Sequence, residues 1–410
     1  MTPWLAILAA ALAVNPGEAT FTKLDGKTVV GTVAAWNGNE ITVKMANGDR
    51  KLSTDALLDA AWARDAVPSS VDRSVELIDG SRLAYADFTI AKRVATFRLP
   101  FAKQAVKIPT ERIRRIELLP PSPALDAALA DIEQKQPAGD SLVIVKRDAA
   151  AMDYLSGVLG DVTAEQADFE WDGDRVPVKL SKIAAIVFYH AKPTNLPEAL
   201  CKASLVDGSL IVARQASLEG KQLKLRSSAG VDLRVPLEQL ARIDFSTGKI
   251  TYLSDLKSTS VRWIPRVAIP KEATTIANHG LPRNNVSFNG SPLSLLWHDD
   301  PLPARRDVRT YPRGVAMRSR TEVAYLIPQG MARFITTAGI DPATAGQGHV
   351  TLEIRGDDRV LWEGAIDGRE SPVEIDVELG TARRLQLVVD YGENLDYGDR
   401  LHLVEARFTK

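Results

Sequence analysis

Loop residues with aromatic faces or oxygen ligands are where this sequence offers chemistry. Trp297-His298-Asp299-Asp300 sits in a Pro- and Arg-rich stretch, and Tyr311 with Arg313 comes shortly after it. An aromatic face covers the C–H surface of a pyranose, and Arg, Asp, Asn or His supply directional hydrogen bonds to its hydroxyls. Trp297, His298, Tyr311 and Arg313 are therefore candidate ligand-binding residues for a sugar. Trp297 would serve equally as a core residue capping its domain. Trp263, between Arg262 and Ile264, reads as core, and Trp362 suits either role. Calcium takes about six to eight oxygens, and the run Asp390-Tyr391-Gly392-Glu393-Asn394-Leu395-Asp396-Tyr397-Gly398-Asp399 gathers such groups on a Gly-containing loop. Glu393, Asp396 and Asp399 are candidate ligands of a structural calcium ion, and no other cofactor is expected. The spacing is not that of an EF-hand, and acidic loop residues also serve as turn formers.

Catalytic motifs are missing from the sequence. The five histidines, His190, His279, His298, His349 and His402, are scattered and form no His-Glu-x-x-His pair, so a zinc hydrolase lacks its ligands. There is no Gly-x-Ser-x-Gly elbow, phosphate-binding loop or dinucleotide fingerprint. The paired carboxylates of a glycosidase meet only in space, but an array of small β modules with one accessory-type sandwich leaves no domain large enough for a usual one. No enzyme is expected.

Length and charge set the frame that must position these loops. A chain of 410 residues exceeds what one hydrophobic core serves. Lys+Arg of 51 against Asp+Glu of 52 gives a net charge of -1, which offers nucleic acid or anionic lipid no general attraction. Cys201 is the single cysteine, so neither an intramolecular disulfide nor a multi-cysteine zinc site is possible. The apolar run Met1 to Val14 is shorter than the roughly 20 residues that span a bilayer and reads as a signal peptide over residues 1–19. Gly17 and Ala19 flank Glu18 as a signal peptidase accepts, which predicts cleavage after Ala19 and a mature chain from Thr20. A buried helix or an uncleaved anchor is the alternative. The mature chain is expected to have no transmembrane span and to be secreted, periplasmic or held in the cell envelope.

Internal repeats come next. Leu24-Asp25-Gly26, Ile78-Asp79-Gly80 and Val206-Asp207-Gly208 are tight-turn signals, each followed by period-two strands such as Glu40-Ile41-Thr42-Val43-Lys44 and Gln222-Leu223-Lys224-Leu225-Arg226. A closing phrase then recurs, with apolar residues five, eight and ten places after the first: Leu52, Leu57, Ala60, Trp62; Ile108, Ile113, Ile116, Leu118; Val178, Ile183, Ile186, Phe188; Val235, Leu240, Ile243, Phe245. That spacing predicts a strand, one tight helical turn and a last short strand. The reading is an all-β chain of tandem small SH3-like or Sm-like barrels at 20–66, 72–119, 140–190 and 199–246. A Pro-rich linker at 120–139 carries a short helix from Ala124 to Glu133.

From Ile250 the texture changes to longer strands and irregular loops, among them Arg333-Phe334-Ile335-Thr336-Thr337 and Arg384-Leu385-Gln386-Leu387-Val388-Val389. This pattern predicts a β-sandwich of jelly-roll type over 250–410. Tyr252-Leu253-Ser254-Asp255-Leu256, Tyr311-Pro312-Arg313-Gly314-Val315-Ala316-Met317-Arg318-Ser319, Gly339-Ile340-Asp341, Gly348-His349-Val350, Ile354-Arg355-Gly356-Asp357-Asp358 and Leu385 to Gly392 occur there in order. With these motifs the segment resembles the NPCBM family of carbohydrate-binding modules, found beside glycoside hydrolases including family 98 and in envelope proteins of planctomycete-like bacteria.

The resemblance implies a galactose-binding-like sandwich and a glycan or glycoconjugate as partner, with envelope proteins as further partners. Two departures stand out. Arg318 occupies the place before Ser319 where the family often has His, and joins the candidate ligand-binding residues. Asp399-Arg400 with Leu403 replaces a frequent Asp-His and Trp. The stretch Leu296 to Arg306 reads as an insertion. The expected function is that of an exported, non-catalytic carbohydrate-binding protein whose repeats act as scaffold. The alternative is an envelope scaffold or protein-interaction protein whose sandwich no longer binds sugar.

Overall fold

A computed structural model describes residues 17–64, 72–146, 152–191, 195–266, 278–298, 306–393 and 395–410. The leader Met1 to Val14 lies outside the described residues. The chain divides into two compact units between Thr247 and Gly248. Among the described residues it is β structure throughout, with one α-helix, Pro123–Lys135.

In the N-terminal unit the four repeated segments share one strand plan. The first strand of each pairs antiparallel with its second and its last: Glu18–Lys23 with Thr28–Asn37 and Leu57–Trp62, and likewise Cys201–Leu205 with Leu210–Glu219 and Leu240–Asp244. The long second strand is unbroken in three copies, whereas in the other it splits into Arg82–Ala84 and Asp87–Ala91. Tyr85 sits at that break, its ring edge-on to Phe88 and Phe97 and its hydroxyl donating to Glu117 O at 2.9 Å.

The Asp-Gly turns form as local chemistry requires. Gly26, Gly80 and Gly208 have φ of 82°, 83° and 83°, a region that only glycine enters without a Cβ clash. The aspartates accept from the backbone two residues on, Ser81 N–H to Asp79 Oδ1 at 2.8 Å and Ser209 N–H to Asp207 Oδ1 at 2.9 Å.

The closing phrases also take a common form. A 3₁₀ turn precedes the second apolar residue of each phrase, at Thr54–Ala56, Thr110–Arg112, Leu180–Lys182 and Leu237–Gln239. Every residue of the four phrases is buried except Val178, which packs partly buried against the same core. The last strands then join segments that are not neighbours in sequence. Leu57–Trp62 pairs with Leu240–Asp244, with Ala60 opposite Ile243. Ile113–Glu117 pairs with Ile183–Val187, with Ile116 opposite Ile186. Equivalent residues face each other in both joints, so each is locally two-fold symmetric. The helix is N-capped by Ser122, whose Oγ accepts from Leu125 N–H at 3.2 Å. It buries Leu125, Ala128 and Ile132 against Val143, Ala184 and Ala185.

The C-terminal unit is a β-sandwich. One antiparallel sheet orders Arg283–Asn284, Gly314–Arg318, Arg400–Thr409, Arg333–Ile340 and Val373–Glu378, with Ile250–Tyr252 also on Arg400–Thr409. The other orders Ser260–Trp263, Thr321–Leu326, Arg384–Tyr391, His349–Gly356 and Arg359–Asp367. Alternate residues from both sheets fill the space between them: Val315, Met317, Leu401, Leu403, Phe334 and Ile340 from the first, Val323, Tyr325, Leu385, Leu387, Val350 and Leu352 from the second. This period-two burial is what two facing sheets require. A separate hairpin, Leu293–His298 with Arg306–Tyr311, lies on the outer face of the first sheet. Its Leu293 and Leu295 cluster with Phe288, Ala316 and Val404. Gly339 leaves room for this contact, because a Cβ there would lie 2.7 Å from the Leu295 side chain.

Candidate functional site

The residues singled out on the sequence fall at three places in the sandwich. Trp297 and Tyr311 belong to the hairpin, which is what the apparent insertion forms where it is described. Both are half-buried against the Leu293 and Leu295 cluster. Trp297 Nε1–H donates to the Tyr311 hydroxyl at 3.0 Å, and the Arg309 guanidinium stacks 4.9 Å from the indole centroid. The indole is thus engaged by apolar packing, by a cation and by a hydrogen bond, so the capping role left open by the sequence accounts for its contacts. His298 is tied to Ser371, its N–H donating to Ser371 Oγ at 3.2 Å while that hydroxyl donates to His298 O at 3.2 Å.

Arg313 and Arg318 bracket the strand Gly314–Arg318. Its five residues, at about 3.3 Å each, hold the two side chains apart at opposite ends. Arg313 stacks 5.2 Å from the Tyr252 centroid and pairs with Asp255. Arg318 stands at the other end with a different set of neighbours. Its Cζ lies 4.6 Å from the Phe288 centroid, and the Arg283 Cζ lies 5.1 Å from that same ring. An Nη of Arg318 is 3.5 Å from His279 Nε2, and its Nε is buried without an acceptor. Burial first, then the charges of Arg400 and Arg283, push the Arg318 guanidinium below its ordinary pKa, while Asp396 acts the other way. The loop that carries Asp396 also presents Tyr397, which is 64% exposed.

The three carboxylates of the acidic loop have different surroundings. Glu393 is exposed and 3.9 Å from Arg369. Asp396 is exposed. Asp399 is buried and accepts from His349 N–H at 3.1 Å through Oδ1. Burial raises its pKa, hydrogen bonds from Ser319 and from the His349 backbone oppose the rise, and Asp396 adds to it. Among the described residues no group of three or more His, Cys, Asp or Glu side chains is placed to hold a metal ion.

A buried polar cluster lies under the hairpin, and of its members only Asp341 fell in a motif of the sequence. His402 is fully buried, with Nδ1 2.9 Å from Ser294 O and Nε2 3.7 Å from Asp341 Oδ2. Asp341 accepts from Ser287 Oγ at 2.7 Å and from Ala343 N–H at 3.0 Å. Burial lowers the His402 pKa, and the contact of its Nδ1 with Ser294 O ties the hairpin to the sheet.

Residues 251–409 match the NPCBM/NEW2 domain. In this NPCBM segment the two departures noted on the sequence are neighbours, since Arg318 and Arg400 stand directly opposite each other between strands. Arg283 and Phe288 carried no signal, because the strand Arg283–Asn284 has only 2 residues and shows no periodicity. Among solved structures, the chain is similar to the CBM51-2 and INT domains of ZmpB from Clostridium perfringens, at 22% identity and TM-score 0.33, covering 40% of this chain and 32% of that one. It is also similar to a CBM51 of GH95 from Clostridium perfringens in complex with methyl-galactose, at 20% identity and TM-score 0.32, covering 39% of this chain and 99% of that one. A third similarity is to the tandem CBM51 modules of Sp3GH98, the family 98 glycoside hydrolase of Streptococcus pneumoniae SP3-BS71, at 12% identity and TM-score 0.32, with coverages of 95% and 87%. The chain therefore spans about a third of the first of these structures. No curated protein matches it.

Proposed function

We propose that the protein is an exported, non-catalytic glycan-binding protein. Residues 251–409 take the sugar, and the four N-terminal segments, read as small SH3-like barrels, are its scaffold. The observation that carries this reading is the NPCBM/NEW2 match over those residues. Within the segment, the end bearing Tyr397, Arg318 and Arg400 suits a sugar better than the hairpin does. Tyr397 is exposed on the loop that leads into Arg400 and Arg318 Nε is buried without an acceptor, whereas the Trp297 ring and the Tyr311 hydroxyl are already engaged.

A glycan array followed by calorimetry on the full chain tests the reading. Binding is expected, and Tyr397→Ala should weaken it roughly three- to tenfold, as loss of an aromatic contact of about 0.5–1.5 kcal/mol implies. No binding to any glycan at millimolar protein would sink it, and glycan turnover abolished by one carboxylate substitution would restore an enzymatic reading. Export rests on the apolar leader and should yield a mature N-terminus at Thr20. That cleavage removes Glu18 and Ala19 from the first strand and leaves the pairs from Thr20 opposite Val30 onward.

One observation favours a second reading, an envelope scaffold or protein-interaction protein whose sandwich no longer binds sugar. Trp297 and Tyr311 are hydrogen-bonded to each other, both are partly buried, and the Arg309 guanidinium lies over the Trp297 ring. A stable protein partner together with an empty glycan array would select it.

A further inference from the structure

We propose that Arg283, Arg318 and Arg400 form a site for the anionic group, carboxylate or sulfate, of an acidic glycan. The inference rests on the glycan-binding reading above and names the substrate class.

Register places the three side chains on one surface. Arg318 is opposite Arg400, and Arg283 is opposite Ala316, two residues from Arg318 along the same strand. Cross-strand partners and residues two apart share a face of a sheet. That face is the outer one, because Ala316 belongs to the cluster under the hairpin while Val315 and Met317 point into the sandwich core. The guanidinium groups of Arg283 and Arg318 both lie over the Phe288 ring. All three arginines are half-buried, so the surface is open to solvent at its rim.

The charges there are not balanced. Elsewhere in the sandwich Arg313, Arg333, Arg355 and Arg369 each have a carboxylate within 4 Å. None of Arg283, Arg318 and Arg400 has one among the described residues. Of the nearby carboxylates, Asp341 accepts from Ser287 and Ala343 and Asp399 accepts from His349 N–H, and neither makes an ion pair with the three guanidinium groups. Asp396 attracts Arg318 without reaching ion-pair distance.

Like charges placed opposite each other in a sheet repel. Stacking on Phe288 supports two of these cations but neutralises neither. The Arg318 Nε, buried with no acceptor, is the second sign of a missing partner, because a buried donor left unpaired is costly. A planar or tetrahedral oxyanion supplies what is lacking, since a guanidinium binds it through paired N–H donors. Tyr397 on the adjoining loop would then carry the sugar ring.

The test uses the full chain and matched glycan pairs differing only in charge: sialylated against desialylated lactose, galacturonate against galactose oligomers, and sulfated against unsulfated galactose. At least one acidic member should bind about tenfold or more tightly than its neutral counterpart, the worth of one charge-assisted contact, and that preference should shrink as salt rises. The pairs separate a carboxylate from a sulfate. Arg318→Gln and Arg400→Gln should each erase most of the preference, with folding checked by thermal melting, and Arg318→Lys should recover only part of it. Neutral glycans bound as tightly as acidic ones would overturn the proposal and leave the glycan reading intact. An array with no binding at all would overturn both, and the wild-type comparison decides the matter even if a variant fails to fold.

Discussion

At the scale of single residues, burial decides which polar groups are free for a ligand and which hold the fold. Trp297 and Tyr311 were legible as a pair of interest because aromatic residues in a polar stretch stand out. Their mutual hydrogen bond was not legible, since it depends on a hairpin register that puts Leu293 opposite Tyr311 and Trp297 opposite Asp307. Arg318 was legible as a departure from a motif, whereas Phe288 and Arg283, which define its surroundings, had no pattern to betray them.

His402 gives a prediction at this scale. Burial lowers its pKa; of the charged groups facing it, Asp341 opposes that shift and Arg400 adds to it. Below the unfolded value of about 6.5, the unfolded chain binds a proton that the folded one refuses. Stability therefore falls as pH drops from about 7 toward 5, by at most about 1.4 kcal/mol per pH unit for one proton. Asp399, whose pKa is raised, has the opposite sign and acts only from the carboxylate range upward. Urea midpoints measured across this range should slope in the wild type and flatten in His402→Asn. An equal slope in both proteins would assign the effect to another group.

At the scale of elements, local rules account for the repeated phrases and fail at the joints. The spacing of five, eight and ten residues could be read because each phrase serves its own core: strand, 3₁₀ turn and short strand bury their apolar residues wherever the phrase occurs. The turns could be read for the same reason, each being settled within four residues. The bonds that reach from one turn across a joint to another segment could not. Ser81 Oγ accepts from Val212 N–H at 2.9 Å, and Ser209 Oγ accepts from Ala84 N–H at 2.9 Å. Each serine comes directly after its Asp-Gly, and each takes the N–H three residues beyond the other, so the second and fourth segments exchange equivalent bonds around Arg82 opposite Leu210. Lys27 stands at this position in the first segment, and Val30, three residues on, is 54% exposed. Ser81→Ala or Ser209→Ala leaves a buried backbone N–H without its acceptor, at a cost of about 1–3 kcal/mol. The double variant should cost other than the sum of the two, because both bonds belong to one joint. Denaturant titrations of the three variants measure this, and changes below about 0.5 kcal/mol in both single variants would show that the serines do not hold the joint.

At the scale of the molecule, the chain keeps its cores apart: one cluster spans Ala19 to Phe245, and the sandwich has its own from Leu253 to Phe408. Within the first, pairing is nested, since the first segment joins the fourth and the second joins the third through their closing strands. Independent barrels on Pro-rich connectors would leave those strands as edges, and an exposed edge is a route to aggregation. Nesting covers them, and it makes each segment depend on one far away in sequence. Sequence patterns report what lies within a segment, so this dependence was invisible there. It predicts that a chain ending after Lys135 cannot keep half of the structure of residues 17–247. Such a chain retains the closing strands Leu57–Trp62 and Ile113–Glu117 but loses both of their partners, Leu240–Asp244 and Ile183–Val187. The buried faces of Ala60 and Ile116 are then exposed together with unpaired backbone, and residue truncations at such fully buried positions already cost about 2–5 kcal/mol each, against a domain stability of about 5–15 kcal/mol. Circular dichroism and urea titration of residues 17–135 beside 17–247 should show no cooperative transition for the shorter chain and a single one for the longer. A cooperative transition of about half the size in the shorter chain would mean that the segments are independent and that the nested strands add little.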